Sequence, residues 1–260
     1  MVRRARWKPA VAVLSAAVSL GVLTWPATAG AAPRYPDLRT LAPAQLHLSS
    51  TPIGDEHHYV VRFSNVVWNA GLGPFELHGT PHFPPDGLFD ASQWIYDDAG
   101  VEMQPVGTFV FHSAHQHFHF EGFARYELWT KREFDRAAAR GFTSGQPTYT
   151  SPKVSSCILD LRRVDSTMGP PQAVYRTCTP LMEGISSGWG DVYGYLLPDQ
   201  WVDVGQMPLS DGEYVLRSVA DPDNLVYESP GRADPARESE IANSASTPFT
   251  VRNGRLVAGA

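Results

Sequence analysis

A run of histidines in the middle of the chain constrains this sequence more than any other feature. Four of the nine histidines, His112, His115, His117 and His119, lie within eight residues. Successive side chains of an extended strand point to opposite faces, so the last three share one face, and His112 points away unless a bulge intervenes. On a flat strand the outer two of these three start about 13 Å apart, so a shared ion requires a bend.

The spacing H-x-H-x-H, flanked by aromatic residues, favours a metal site. Three neutral imidazoles with an open fourth position suit copper, zinc, iron or nickel. The alternatives are a surface tract of histidines and a single histidine packed in the core.

The first 32 residues have the pattern of a signal peptide. Four basic residues precede an apolar run from Pro9 to about Trp25, and Ala27-Thr-Ala29 or Ala29-Gly-Ala31 would provide a cleavage site. The alternative is an uncleaved membrane anchor, for which the apolar run has borderline length. We therefore predict a secreted protein whose mature chain, 33–260, is one domain without a membrane span.

The alternation of β-forming segments with turn-forming residues indicates the fold class. Short segments rich in β-formers alternate with Gly, Pro, Asn and Asp turns, without a long helical period or an internal repeat. This pattern predicts an all-β, antiparallel β-sandwich with long loops. Residues 79–92 contain three prolines and predict a loop, and Lys131 to Arg140 favours one short helix or a loop. The net charge of -6 argues against a nucleic-acid partner.

The histidine run resembles the copper-binding signature of the lysyl oxidases, W-H-x-C-H-x-H-Y-H. These are secreted copper amine oxidases that convert primary amines to aldehydes. The chain departs from the signature at Phe111, Ala114 and Phe118. The resemblance implies that copper is bound by His115, His117 and His119, and the residue at Ala114 is not a ligand in the family.

Two later segments resemble the parts of the family that make its cofactor, a lysine tyrosylquinone. Lys153 stands four residues before Cys157, as the family's lysine does before a cysteine. Tyr193 stands in Asp-x-Tyr-Gly ahead of Gln200-Trp201, which is similar to the family's tyrosine segment. By chemistry alone, Lys153 would be an ordinary surface lysine and Tyr193 an ordinary core tyrosine. The resemblance extends from about Pro36 to Asn243 and implies that the two residues become crosslinked.

The chain has two cysteines, Cys157 and Cys178. In an exported protein an even number predicts a disulfide, and the alternative is two free buried thiols. The two positions resemble family cysteines that bond elsewhere, and both usual partners are missing here. The resemblance therefore implies that Cys157 and Cys178 bond each other.

The resemblance also implies a possible calcium site near the two ends of the domain. Asp37, Glu228, Glu240 and Asn243 stand at positions comparable with the family's calcium ligands, and oxygen ligands of this kind suit Ca²⁺. The intervening loop is longer here than in the family. The alternative is a solvated acidic loop.

Together these features imply oxidative deamination of primary amines by O2, with release of ammonia and hydrogen peroxide. The amine could be peptidyl lysine or a small amine, and the oligomeric state is open. The sequence does not name the catalytic base, for which His112 is the candidate. The alternative function is a secreted copper-binding module without turnover, which would need the three histidines but neither Lys153 nor Tyr193.

Overall fold

Short strands joined by turns make up most of the described chain. The computed structural model describes residues 32–151, 155–228 and 243–257. The predicted signal peptide, apart from its last residue, lies outside these ranges, as do Lys153 and Glu240. Within them no helix is long and apolar enough to cross a membrane.

The elements are, in chain order, β1 (Leu38–Thr40), β2 (Ala44–Ile53), β3 (Glu56–Asn69), β4 (Phe75–Pro81), β5 (Leu88–Tyr96), β6 (Val101–His112), β7 (His117–Phe120), β8 (Ala124–Thr130), α1 (Lys131–Ala138), β9 (Tyr149–Thr150), β10 (Arg162–Arg163), β11 (Glu183–Ile185), β12 (Trp189–Tyr193), β13 (Trp201–Gly205), β14 (Gly212–Ala220), β15 (Ser244–Arg252) and β16 (Arg255–Val257). The predicted all-β class is confirmed. The predicted loop at 79–92 is wrong at both ends, because β4 runs to Pro81 and β5 begins at Leu88.

The described strands form three antiparallel sheets. In the first, β3 is central: its second half pairs with β1 and β12, and its first half pairs with β2 and β13. The second has the order β11-β4-β5-β6-β7, and the third β16-β15-β14-β8-β9. Four valines give β3 the branched side chains that fit a pleated surface buried between neighbours.

One buried hydrophobic cluster takes members from all three sheets, including Phe63 of β3, Phe109 of β6 and Leu128 of β8. The rings of Phe63 and Tyr126 meet edge to face at a centroid distance of 4.7 Å, which joins the first sheet to the third. The sheets therefore share one core, as expected for a sandwich-like fold.

The single helix among the described residues follows β8 directly. Thr130 caps it: its hydroxyl accepts from the Glu133 amide at 3.3 Å and donates to the Glu133 carboxylate at 3.0 Å. The first of these bonds satisfies a backbone amide that would otherwise be unpaired at the start of the helix. Gly141, at φ +62°, follows the helix in the left-handed conformation that glycine favours. The predicted short helix is confirmed.

A buried ion pair joins β8 to β14. Arg217 donates to Glu127 at 2.9 Å, and both side chains are almost completely buried. Trp129 and Arg125 donate to the same carboxylate at 3.0 Å and 2.8 Å, and the Arg217 guanidinium lies 3.7 Å over the Phe142 ring. A buried carboxylate this well paired holds the two strands in register, because removing one partner would leave a buried charge uncompensated.

Candidate metal centre and the tyrosine beside it

A tight turn between β6 and β7 brings the histidines together. β6 ends at His112 and β7 begins at His117, and these two residues are paired across the hairpin. The amides of His115 and Gln116 both donate to the His112 carbonyl, at 3.1 Å and 2.9 Å. Gln116 has φ +60°, in the left-handed region. The bend that one shared ion requires is therefore present, as a hairpin turn.

The turn corrects two details of the prediction. His115 lies in the turn and not on the strand, so strand alternation does not place it with His117 and His119. His112 does not point away from the others, because the hairpin folds its ring back against theirs. Its ring centroid lies 4.5 Å from that of His115 and 4.6 Å from that of His119.

All four imidazoles form one cluster with His119 at its centre. The His119 ring lies 4.8 Å from that of His115 and 4.9 Å from that of His117, and it is almost completely buried. His115 Nδ1 and His119 Nε2 face each other at 3.1 Å. The rings of His115 and His117 are 5.6 Å apart.

The donor set fits a transition-metal ion. One ring nitrogen from each of His112, His115 and His119 lies within 4.8 Å of the others, close to the span of two metal–nitrogen bonds of about 2 Å each. His117 is not in this group, because its ring nitrogen lies instead within 4.8 Å of the Cys157 and Cys178 sulfurs. The structure therefore groups His115 and His119 of the predicted ligands with His112 in place of His117. His112 Nδ1 is buried and has no hydrogen-bond partner among the described residues. Imidazole suits copper, so the cluster accommodates the metal that the resemblance implies.

The described residues on the two sides of Lys153 are attached to strands near the histidines. Ser156 and Phe120 exchange two backbone hydrogen bonds, at 2.8 Å and 3.1 Å, and the Ser155 hydroxyl lies 3.2 Å from His119 Nδ1. On the other side the Ser151 amide donates to the Tyr126 carbonyl at 2.9 Å. Lys153 itself lies outside the described residues, but both described flanks are fixed to strands β7 and β8.

Tyr193, at the end of β12, is buried beside the carboxylate of Asp191. Its hydroxyl donates to the Asp191 carboxylate and lies 3.4 Å from the Cys157 carbonyl. Burial and the Asp191 charge raise the pKa of Tyr193 well above its usual value. Asp191 also accepts from the Val192 amide at 2.9 Å. The phenol is therefore neutral in the resting protein, with a carboxylate in place to accept its proton.

Glu183 of β11 carries a second carboxyl group. Its side chain is fully buried, one oxygen accepts from the Ile158 amide at 2.9 Å, and the other has no hydrogen-bond partner among the described residues. Desolvation, together with the nearby Asp191 charge, raises the pKa of Glu183 to about 9. Glu183 is therefore protonated at neutral pH.

A cavity of about 310 Å³ connects these groups. Its lining includes His115, His117 and His119 together with Tyr193 and Asp191. The disulfide between Cys157 and Cys178, which the structure confirms, forms part of the same wall. The candidate metal ligands and the candidate cofactor tyrosine thus face one space.

A second acidic cluster joins the two ends of the domain. Glu228 accepts from the Leu38 amide and, at 3.2 Å, from the Asn243 side chain. Desolvation and the charges of Asp221 and Asp37 raise the pKa of Glu228 to about 8. Asp37 is paired with Arg39 at 2.7 Å. Three of the four predicted calcium ligands therefore lie in one region, and the fourth, Glu240, is outside the described residues.

The sequence did not single out Asp191 or Glu183. Asp191 stands two residues before Tyr193 on the same strand, so alternation places both side chains on one face. That signal was available once Tyr193 was a candidate. Glu183 carries no local signal, because its importance depends on complete burial by distant strands.

Comparisons with known proteins agree with the geometry. The lysyl oxidase family model matches residues 89–236, more than half of the chain. Lysyl oxidase homolog 1 of Homo sapiens is 29% identical over 127 residues, which cover 48% of this chain and 19% of that protein. Protein-lysine 6-oxidase of Homo sapiens is 28% identical over 175 residues, which cover 67% of this chain and 32% of that protein. Protein-lysine 6-oxidase of Sus scrofa is 27% identical over 175 residues, which cover 67% of this chain and 53% of that protein. The chain thus matches about a fifth to a half of the length of these relatives.

We expect one Cu(II) ion per chain, and we expect His119→Ala to reduce bound copper most, because this ring contacts the other three. On the predicted ligand set, His115→Ala and His117→Ala should also lose most of the copper, whereas His112→Ala should retain it. The observed grouping of His112 with His115 and His119 gives the opposite result for two of these variants, with loss in His112→Ala and retention in His117→Ala. Metal analysis after dialysis measures this, with the distant His82→Ala as the control. Loss of copper in His112→Ala alone would contradict the ligand set.

Glu183→Gln should make the protein more stable at pH 8 than the wild type. Between about pH 4.5 and pH 9 the unfolded chain releases the Glu183 proton while the folded chain keeps it, so wild-type stability falls as pH rises through this window. Glutamine has the same shape and no proton to lose. Urea unfolding from pH 4 to pH 8 measures the free energy of unfolding of each protein. The values for wild type and Glu183→Gln should coincide at low pH and diverge as the pH rises, with substitution of the exposed Glu213 (Glu213→Gln) as the control. A constant difference at every pH would show that Glu183 is not the group responsible.

Proposed function

This chain belongs to the lysyl oxidase family, and on that premise we propose that it is a secreted, copper-dependent oxidase of primary amines. The reaction is R-CH2-NH2 + O2 + H2O → R-CHO + NH3 + H2O2. The observation that carries the proposal is the cavity that the histidine cluster shares with Tyr193. A carrier protein needs a metal site but has no use for a buried tyrosine facing it.

His115, His117 and His119 would hold the copper, and Lys153 and Tyr193 are the residues from which a lysine tyrosylquinone would form. Copper and the quinone together would supply an electrophilic two-electron acceptor that O2 reoxidises. Asp191 accepts the hydrogen bond of the Tyr193 hydroxyl and is placed to take its proton. Lys153 must be neutral to act as a nucleophile, which a site beside a cation would favour.

Covalent geometry supports a role for Lys153. Two peptide units separate it in sequence from Ser155, whose hydroxyl contacts His119. Two trans peptide units span at most about 7.6 Å, and an extended lysine side chain adds a comparable reach. The described anchors at Ser155 and Ser156 are therefore consistent with delivery of the Lys153 amine to the histidine and tyrosine side of the cavity.

Lys153→Ala and Tyr193→Phe should each abolish peroxide release from primary amines and leave copper bound. A peroxide-coupled assay with several amines measures turnover, and intact mass with the visible spectrum reports the crosslink. Lys131→Ala is the matched lysine control, since Lys131 is partly exposed on α1 and pairs with Asp135. Tyr195→Phe is the tyrosine control on the same segment.

The outcomes separate the enzyme from its alternative. A copper-binding module without turnover would hold copper in every form and release no peroxide, wild type included. Undiminished turnover in Lys153→Ala or Tyr193→Phe would rule out the lysine–tyrosine cofactor.

We further propose that Asp37, Glu228 and Asn243, with Glu240, bind Ca²⁺. Carboxylate and amide oxygens are its usual ligands, and a bound cation stabilises the charged form of a carboxyl group, such as Glu228, whose pKa is raised by burial and by neighbouring acids. Arg39 competes for Asp37, so binding would require that ion pair to loosen.

Calcium should raise the melting temperature at pH 8, and a chelator should reverse the effect. At a concentration of about 100 Kd, binding adds about 2.7 kcal/mol to the free energy of unfolding. Glu228→Gln should abolish the shift, whereas Glu56→Gln, which alters a carboxylate on another surface, should preserve it. An identical calcium effect in wild type and Glu228→Gln would refute this site.

A further inference from the structure

Much of the lining of the candidate-site cavity is apolar. The lining residues Leu159, Leu161, Val192, Leu197 and Pro198, together with the disulfide, form its apolar wall. Leu161 and Leu197 are large side chains that remain 55% and 38% exposed. Exposed leucines at the edge of a concave site are typical of a surface that binds an apolar ligand.

The described lining offers no second anionic group for a doubly charged substrate. Its one acidic residue is Asp191, which is 1% exposed and whose carboxylate already accepts from the Tyr193 hydroxyl and the Val192 amide. Asp199 lies outside the lining, with its carboxylate 3.9 Å from His112 Nε2. A second ammonium group inside the cavity would therefore lose its hydration without gaining a partner.

From this arrangement we propose that the cavity selects primary monoamines with an apolar carbon chain, such as n-alkylamines, over diamines of the same size. The inference deepens the proposed function and rests on it, because the amine must reach the histidine and tyrosine side. In that orientation the reactive nitrogen lies next to the histidines, and the chain lies against Leu159, Leu161 and Leu197.

A matched pair of amines tests the selection. n-Hexylamine and 1,5-diaminopentane have the same number of non-hydrogen atoms and differ in one end group, a methyl against an ammonium. We expect the copper-loaded wild-type protein to oxidise n-hexylamine with a kcat/KM at least about tenfold higher. Equilibrium binding of both amines to copper-loaded Lys153→Ala provides a second readout that does not depend on turnover, with the same order expected.

Leu161→Asp tests the apolar wall directly. Because Leu161 is exposed, an aspartate there should be tolerated by the fold, and it should lower the n-hexylamine to 1,5-diaminopentane ratio at least fivefold in both readouts. Leu181→Asp is the matched control: Leu181 is 63% exposed and does not line the cavity, so the ratio should stay at the wild-type value.

The two readouts distinguish the failure of this inference from that of the proposed function. If the wild type oxidises amines but prefers or equals the diamine, the selection is overturned while the oxidase stands. If no amine is oxidised but n-hexylamine still binds more tightly than the diamine, the oxidase fails and the apolar selectivity stands. Equal binding of both amines, or an unchanged ratio in Leu161→Asp, overturns the inference.

Discussion

Two backbone hydrogen bonds between Phe120 and Ser156 hold the candidate site together. They attach a non-repetitive segment to the last residue of β7, directly after His119. The same segment then supplies the Cys157 carbonyl near the Tyr193 hydroxyl and the Cys157 sulfur that is bonded to Cys178. Backbone groups in this buried region must be paired, so the bridge satisfies a general requirement and also fixes the spacing of three functional elements.

Burial, more than the number of charged groups, sets the pKa values of the ionisable side chains in the site. Asp191, Glu183 and Tyr193 are all withdrawn from water, and such groups cannot all ionise together. The raised pKa of Glu183, about 9, keeps this carboxyl protonated at neutral pH. Groups with perturbed pKa values concentrate at functional sites. Burying a carboxyl group without a full set of hydrogen-bond partners lowers the stability of the folded protein.

The sequence predicted the type of architecture, the short helix, the disulfide and the clustering of histidines, because each has a local pattern or a small number of alternatives. It misplaced His115, since strand alternation cannot anticipate that a turn begins after His112. It predicted a loop over all of residues 79–92, including residues that lie in strands β4 and β5, because the prolines of this segment are typical of loops and its β-formers were given too little weight. Glu183 could not be found, because its role depends on burial between strands far apart in sequence. The roles of Lys153 and Glu240 stay predictions.

The contact between the Leu38 amide and the Glu228 carboxylate joins residues 190 positions apart, whereas His112 and His119 are brought together by one hairpin. Chains are made from the amino terminus, and closing a long loop costs more entropy than closing a short one. The hairpin can therefore form while synthesis continues, but β1 cannot receive its Glu228 partner until nearly the whole chain exists. The histidine cluster is a local product of the sequence, whereas the pairing of Leu38 with Glu228 must wait until the chain extends past residue 228.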